Sequence, residues 1–412
     1  MLNLDKPIDL VSAEYLDNLW DNLERIREER PVHQAKISVI KVYTVARYSD
    51  CQDILKDPRV VRNRTTATGG SRFPVPMPIP KSVRVLMESM IQEDDPNHRR
   101  LRGLVRRAFR PQAIARIEER ITAYADELLD ALPANGRFDL QSQYALPIPV
   151  RMIGDMVGIE QSAVPEFRKV IETVTDGFSG LRALRTMIFD LPRAVGFARE
   201  LVREKQDHPG DDILTGLIEA RDEDGDRLTE DELVAMVMLL IVAGFETTVH
   251  LISNGVLTLL QHPEQLERLR ADPNLVTSAV EEILRHRGPI QSTKPGFATE
   301  DIELRGVTIP KGKPIMPLFG AANHDPRAFD NPQTFDIARD PNRHLGFGHG
   351  VHFCLGAHLA RAEARIAINA LLARFPDIAL DVDPSALKPS AMPGWHRYPS
   401  MPLRVGRLRA AA

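Results

Sequence analysis

The sequence predicts a mainly α-helical protein with a small β region, organised around one long central helix. Two observations carry that reading. Thr229 and Glu232 form a capping box at the head of a segment with no proline until Pro263. That is about 32 residues, or roughly 48 Å at 1.5 Å per residue. A helix so long, and apolar around much of its circumference, must run through the middle of a large domain. Elsewhere, apolar residues recur mostly at helical spacing, and the alternating, β-branched runs are few and short.

Taken in order, Ala13 to Arg30 carries charges with apolar residues at helical spacing and reads as a helix. Lys36 to Tyr48 alternates and is rich in Val, Ile and Tyr, which predicts a strand or hairpin. Phe73 to Pro80 is proline-rich and cannot be helical, so it reads as an extended loop. Pro96 to Leu201 is mostly helical in pattern, and within it Phe178 to Pro192 is an apolar patch with few charges. Val280 to His286 reads as a short helix. Phe297 to Pro310 reads as a strand, a turn near Arg305-Gly306 and a second strand. Asn323 to Arg343 is rich in Pro, Asp and Asn and reads as coil, and Leu355 to Phe375 as a final long helix. There is no internal repeat and no obvious linker.

Composition sets the class. At 412 residues, 43% hydrophobic and 27% charged, the chain is ordinary globular protein and can bury a large core. Length alone points to two or three domains, a soft prior that the motif order below overrules. A net charge of -4 gives no sign of nucleic-acid binding, which shows as a basic domain. Two isolated cysteines, Cys51 and Cys354, fit a reducing compartment better than a disulfide scaffold. The first residues have no basic segment followed by an apolar run, so no signal peptide is expected. The longest apolar run, Val234 to Gly244, falls short of the about 20 residues that span a bilayer, and Glu246 follows it. The expectation is a cytoplasmic protein without a membrane anchor.

The most informative stretch is Phe347-Gly-His-Gly-Val-His-Phe-Cys-Leu-Gly356, of pattern F-G-x-G-x-H-x-C-x-G. A thiolate, not a thiol, ligates a metal, so something must favour the anion. Cys354 precedes a strongly helical run, where free N–H groups and the helix dipole do so. Gly348 and Gly350 let the backbone turn sharply and approach a flat ligand, and Gly356 keeps the first helical turn free of a side chain. Phe347 can pack on the sulfur or the ring and limit solvent access. Most free cysteines are merely small buried hydrophobes. With glycine at about 7% of residues, however, three glycines at set positions arise by chance only roughly 3 × 10⁻⁴ of the time. The segment resembles the heme-binding loop of the cytochromes P-450, and the resemblance makes Cys354 the proximal iron ligand.

Midway along the long helix, Ala243-Gly-Phe-Glu-Thr-Thr248 resembles that family's (A/G)-G-x-(D/E)-T motif. Glycine there costs about 1 kcal/mol of helix stability relative to alanine, acceptable where something lies against the backbone. A threonine hydroxyl can bond back to a carbonyl and bend the helix, opening a groove for oxygen. Splitting oxygen needs protons, and an acid beside an alcohol makes a relay through water. The resemblance assigns this to Glu246 and Thr247, with Ala243 and Gly244 beside the cofactor. The blander reading is a helix-bending Gly-Thr feature, which stands if the motif is taken alone.

Glu282 and Arg285 share a helical face, and Phe335-Asp-Ile-Ala-Arg339 matches the family coil that supplies a third member, Arg339. The resemblance assigns these three to structure near the heme face. It also matches His98, Arg102 and His344 to positions that contact the heme propionates. One departure stands out: Gly296 occupies the place where the family often has a propionate-binding arginine. Lys294, two residues earlier, is a substitute that lacks arginine's bidentate geometry. The motifs occur in family order over nearly the whole chain, which implies one domain, residues 1–412, with the cytochrome P-450 fold and heme b as cofactor.

No flavin or dinucleotide fingerprint is present, so electrons are expected from another protein, for soluble bacterial-type members a ferredoxin served by a reductase. Arg99, Arg100, Arg106, Arg107 and Arg110 could form a basic docking face, or simply a solvated one. The resemblance implies O2 as co-substrate and an apolar or amphipathic small molecule as substrate. Leu239, Leu240, Ala243, Ile290 and Pro295 are candidate wall residues, with the Phe73 loop and the Phe178 to Phe189 patch. The expected state is a monomer. The competing readings are a peroxide-driven peroxygenase of the same fold, which Glu246-Thr247 opposes, a non-catalytic heme sensor or carrier, and a heme-free helical protein.

Overall fold

The computed structural model describes residues 2–37, 39–70, 84–85, 89–108, 111–159, 186–221 and 225–406. They gather into two compact units. The larger comprises Met1–Arg72, Ala125–Ala145 and Thr247–Ala412, and the smaller Phe73–Tyr124 and Leu146–Glu246. The proline-rich stretch Phe73 to Pro80 and most of the Phe178 patch lie outside the described residues.

The larger unit holds all the named strands. Its main sheet has the order β1-β2-β3-β9-β6-β4, with β1 Ile8–Asp9, β2 Val32–Ile37, β3 Ile40–Val45, β4 Val60–Val61, β6 Gly296–Ala298 and β9 Pro314–Pro317. β2 and β3 form the expected hairpin, in register Val32↔Val45 to Ile37↔Ile40. It begins earlier than alternation alone indicates, and Tyr48 instead opens the helix Tyr48–Lys56. β3 is buried from Val42 onward because β9 pairs with it in parallel on its other edge. Phe297 belongs to β6 of this sheet. The predicted strand-turn-strand is the shorter pair β7 Ile302–Leu304 and β8 Val307–Ile309. Arg305 (φ 52°) and Gly306 (φ 76°) make its two-residue turn left-handed, as the twist of a hairpin favours. β10 Ala379–Leu380, β11 Pro402–Val405 and β5 Gly136–Asp139 form a third sheet.

The predicted helix from Ala13 to Arg30 is two helices, Ala13–Leu16 and Leu19–Glu29. The Asn22 amide donates to the carbonyls of Glu14 and Tyr15, both at 3.0 Å, and so satisfies the end of the first one. The helices Val276–Arg287 and Ala357–Arg374 pack on each other.

In the smaller unit, Leu191–Asp207 packs on Glu230–Gly244, while Ile213–Glu219 packs on Asn97–Ala108 and Pro147–Val157. The capping box is present: the Thr229 hydroxyl accepts from the Glu232 amide at 3.2 Å, and the Glu232 carboxylate from the Thr229 amide at 2.8 Å. Arg199 ties the same turn down through Glu230 (2.9 Å) and Asp231 (2.6 Å). Beyond it the long helix is interrupted, running Glu230–Gly244 and then Glu246–Gln261, with Phe245 between them. A Cβ on Gly244 would sit 2.6 Å from Ile153 Cδ1, so glycine lets a neighbouring helix come this close. By length and composition the span Glu230–Gln261 could cross a membrane, which the shorter run Val234 to Gly244 does not show. Two thirds of its most apolar window is nevertheless buried inside the protein, as suits a core helix.

Candidate functional site

The two cysteines have opposite environments. Cys51 is fully buried; its thiol donates to the Val45 carbonyl at 3.2 Å, and burial pushes its pKa up. Cys354 is exposed, lies outside any disulfide and sits just before the helix Ala357–Arg374. Its own amide donates to the Phe347 carbonyl at 2.9 Å, closing the loop across the glycines. Gly348 (φ 75°) and Gly350 (φ 73°) both take the left-handed conformation. They do different work. A Cβ on Gly350 would lie 2.7 Å from the Leu55 carbonyl, so this glycine seats the loop on the Tyr48–Lys56 helix. At Gly356 a Cβ would meet no atom within 4 Å, which leaves open space at the helix head beside Cys354. The exposed cysteine, the open space at Gly356 and the first amides of a helix suit a flat prosthetic group ligated by a thiolate.

The expectation for His344 needs correction. Its Nδ1 accepts from the Gly346 amide at 3.0 Å and its Nε2 donates to Glu281 at 3.1 Å. Both ring nitrogens are committed within the protein, so His344 braces the loop and has no donor left for a propionate. Glu281 also takes a forked pair from Arg361 (2.6 and 2.7 Å), and Arg361 lies 4.4 Å over the Phe347 ring. Arg361 and His344 together outweigh burial and hold the Glu281 carboxyl at about 2. Phe347 is thus fixed from behind, with Phe353 6.2 Å away on the cysteine side of the loop. His352, two residues from Cys354 and half-buried, is the histidine that sequence reading left without a role.

Beneath the loop the glutamate and its two arginines meet. Glu282 and Arg285 are fully buried and joined at 2.7 and 2.8 Å, and Arg339 reaches Glu282 at 3.1 Å. Arg285 also donates to the carbonyls of Asn323, Pro332 and Thr334 at 2.8 to 3.0 Å, which pins the coil predicted over Asn323 to Arg343.

On Glu230–Gly244, Leu240, Ala243 and Gly244 fall at i, i+3 and i+4, one face. None of the three is buried, although most of the helix is. Thr247, in the helix Glu246–Gln261, is half-buried. Glu246, one residue earlier, is buried at 6% exposure. Within the larger unit Thr248 lies beside Glu363, a fully buried carboxyl whose oxygens make no hydrogen bond of ordinary geometry. Burial raises its pKa to about 8, more than Thr248 lowers it. No sequence signal marks Glu363, which sits among alanines on the final long helix.

In the smaller unit, His98 and Arg102 lie one turn apart on Asn97–Ala108. His98 is buried, its Nδ1 3.5 Å from Asp95; burial and the nearby Arg102 charge lower its pKa. Arg100 is engaged with Asp226 (3.0 Å) and with Glu232, while Arg99 stays exposed beside Asp95. The side chains of Arg107 and Arg110 lie outside the described residues.

At the departure noted in the sequence, a Cβ on Gly296 would lie 2.5 Å from Val60 Cγ1, so β6 leaves no room for an arginine there. Lys294 reaches open space, yet the protein around it and the nearby Arg62 lower its ammonium pKa to about 8. The Arg62 guanidinium bonds the Lys294 carbonyl, which sets two cations side by side.

Comparison with known proteins places these features. A family model described as Cytochrome P450 matches residues 184–390, half of the chain. Cytochrome P450 monooxygenase PikC of Streptomyces venezuelae is 38% identical over 404 residues, covering 97% of this chain and 94% of that protein. The structure of the bacillaene polyketide synthase cytochrome P450 PksS of Bacillus subtilis matches with a TM-score of 0.89 at 33% identity, covering 97% of this chain and all of that one. P450BioI, solved with an acyl carrier protein bearing hexadec-9Z-enoic acid, matches with a TM-score of 0.86 at 35% identity, covering 95% of this chain and 100% of that one. The chain belongs to the cytochrome P450 family and is a monooxygenase.

Proposed function

We propose that this protein is a single-domain heme b monooxygenase, with Cys354 as proximal ligand, that oxygenates an apolar small molecule with electrons from a ferredoxin-type partner and its reductase. The observation that carries the reading is Cys354 itself: an exposed cysteine outside any disulfide, at a helix head beside a glycine with open space around it, while Cys51 is sealed in the core. When bound, heme b supplies reductive activation of O2 at its iron.

The chain's own residues then have separate tasks. The amides at the head of Ala357–Arg374 favour the Cys354 thiolate, and Phe347, held by Arg361, keeps water from the sulfur. Leu240, Ala243 and Gly244 present an apolar wall that selects an apolar substrate. Glu246 and Thr247 pass protons through water to the oxygen side. His98, Arg102, Lys294 and Arg62 are the cations and donors for the propionates, and His352 takes the place first given to His344. Arg62 supplies the guanidinium that Gly296 cannot.

Reduction under carbon monoxide tests the ligand. A strongly red-shifted Soret band is expected, and its loss in Cys354→Ser identifies the thiolate; no heme signal in protein from heme-replete cells would sink the reading. For the partner, the rate of reduction by an acidic ferredoxin should fall as salt rises, with Arg99 and Arg106 contributing. A salt-independent rate removes electrostatic docking.

A further inference from the structure

The heme-directed residues do not account for a polar cavity of about 190 Å³ in the larger unit, lined by Trp20, Asn254, Gln261, Arg287, His396 and Tyr398 among others. We propose that it is a second ligand site, built for a small monoanionic carboxylate.

The charge of the lining sets the ligand's charge. Arg287 ends the helix Val276–Arg287, and its guanidinium lies 3.9 Å over the Trp20 ring. It donates to the His286 carbonyl at 2.9 Å, and among the described residues no carboxylate pairs with it. Arg285, two positions earlier, is by contrast satisfied by Glu282. Burial and the Arg285 charge lower the Arg287 pKa only to about 10, so it stays cationic at neutral pH. His396 is buried and, with its pKa lowered to about 3, neutral. The Tyr398 hydroxyl, 3.4 Å from His396 Nε2, keeps its proton, because burial raises its pKa. The lining therefore carries one positive charge and no acid. A half-buried cation without a counter-ion is unfavourable, and a monoanion cancels it.

Hydrogen bonding holds the lining in place. Asn254 donates from Nδ2 to the carbonyls of Arg287 (3.1 Å) and His396 (2.8 Å), which fixes the amide. Its Oδ1 is buried and accepts nothing. The fixed amide makes a rigid polar wall beside the guanidinium. The volume corresponds to about six waters at roughly 30 Å³ each, which limits the ligand to a few heavy atoms. Gln261, at the exposed end of its helix, marks the mouth.

The test is calorimetric titration of the holoenzyme with sodium lactate and with propionate, with sodium chloride as the control and the Soret band recorded throughout. One saturable lactate site per chain is expected, with the Soret band unmoved. Propionate, which carries the same charge, should bind the same site with similar affinity. Arg287→Gln should weaken lactate by about tenfold or more. Gln261→Trp, which plugs the mouth without touching the buried groups, should do the same and serves if Arg287→Gln does not fold. Absence of a saturable lactate site, a site unchanged in Gln261→Trp, or a Soret shift in step with binding overturns the proposal. None of these readouts depends on turnover, so the site and the monooxygenase reading stand or fall separately.

Discussion

Glu282 is the residue whose loss should cost most for its size. Its carboxylate takes both Arg285 contacts, the Arg339 guanidinium at 3.1 and 3.2 Å, the Asn342 amide at 3.0 Å and the Asp336 backbone amide at 3.0 Å. In Glu282→Ala, the fully buried Arg285 becomes a cation without an anion. Removing one partner of a buried pair costs about 3–5 kcal/mol, and the number of donors stranded here puts the loss near the upper end, about 5 kcal/mol. Native stability is only about 5–15 kcal/mol, so much of it is at stake. The comparison is Glu29→Ala, which removes the exposed i,i+4 pair with Arg25 (3.0 Å) and should cost about 0.5 kcal/mol or less. Urea unfolding of both holoenzymes followed by circular dichroism, with heme content measured alongside, gives the two values. If Glu282→Ala unfolds within about 1 kcal/mol of wild type, as Glu29→Ala should, the buried carboxylate is not what secures the coil, and the reasoning fails.

Two further expectations concern the long helix and its neighbour. Thr247→Ala should retain heme and substrate binding but divert reducing equivalents to hydrogen peroxide; unchanged coupling of electron use to product would remove Thr247 from the proton relay. Glu363→Gln should change the pH profile of stability. The folded pKa of Glu363, about 8, lies above that of the unfolded chain, so the folded state holds the extra proton between them. The wild type should then be most favoured at low pH in that window and lose stability on the order of 4 kcal/mol as pH rises from about 4.5 to about 8. Glu363→Gln should lack this loss, as urea midpoints at pH 5 and pH 8.5 will show; parallel profiles refute the assignment.

What could be read from the chain alone follows the range of the interactions involved. The capping box at Thr229 and the left-handed turn at Arg305-Gly306 are written locally, and both appear. The interruption at Phe245 falls within the motif where a bent helix was expected, but the close approach of Ile153 to Gly244 is not written there. The division of labour between Gly350 and Gly356 is equally hidden, since the Leu55 carbonyl that excludes a side chain is remote in sequence. His344 misled because nearness to Phe347 says nothing of Glu281, which claims its ring. Glu363 reads as one more polar residue on a long helix until packing seals it away.

The pairing of β4 with β6 couples two positions. Because Val60 Cγ1 occupies the volume a Cβ at 296 would need, any side chain at 296 obliges Val60 to turn or shrink. Restoring an arginine by design is therefore best done together with a smaller residue at 60, and the single substitution Gly296→Arg reports on crowding in the sheet before it reports on the cofactor.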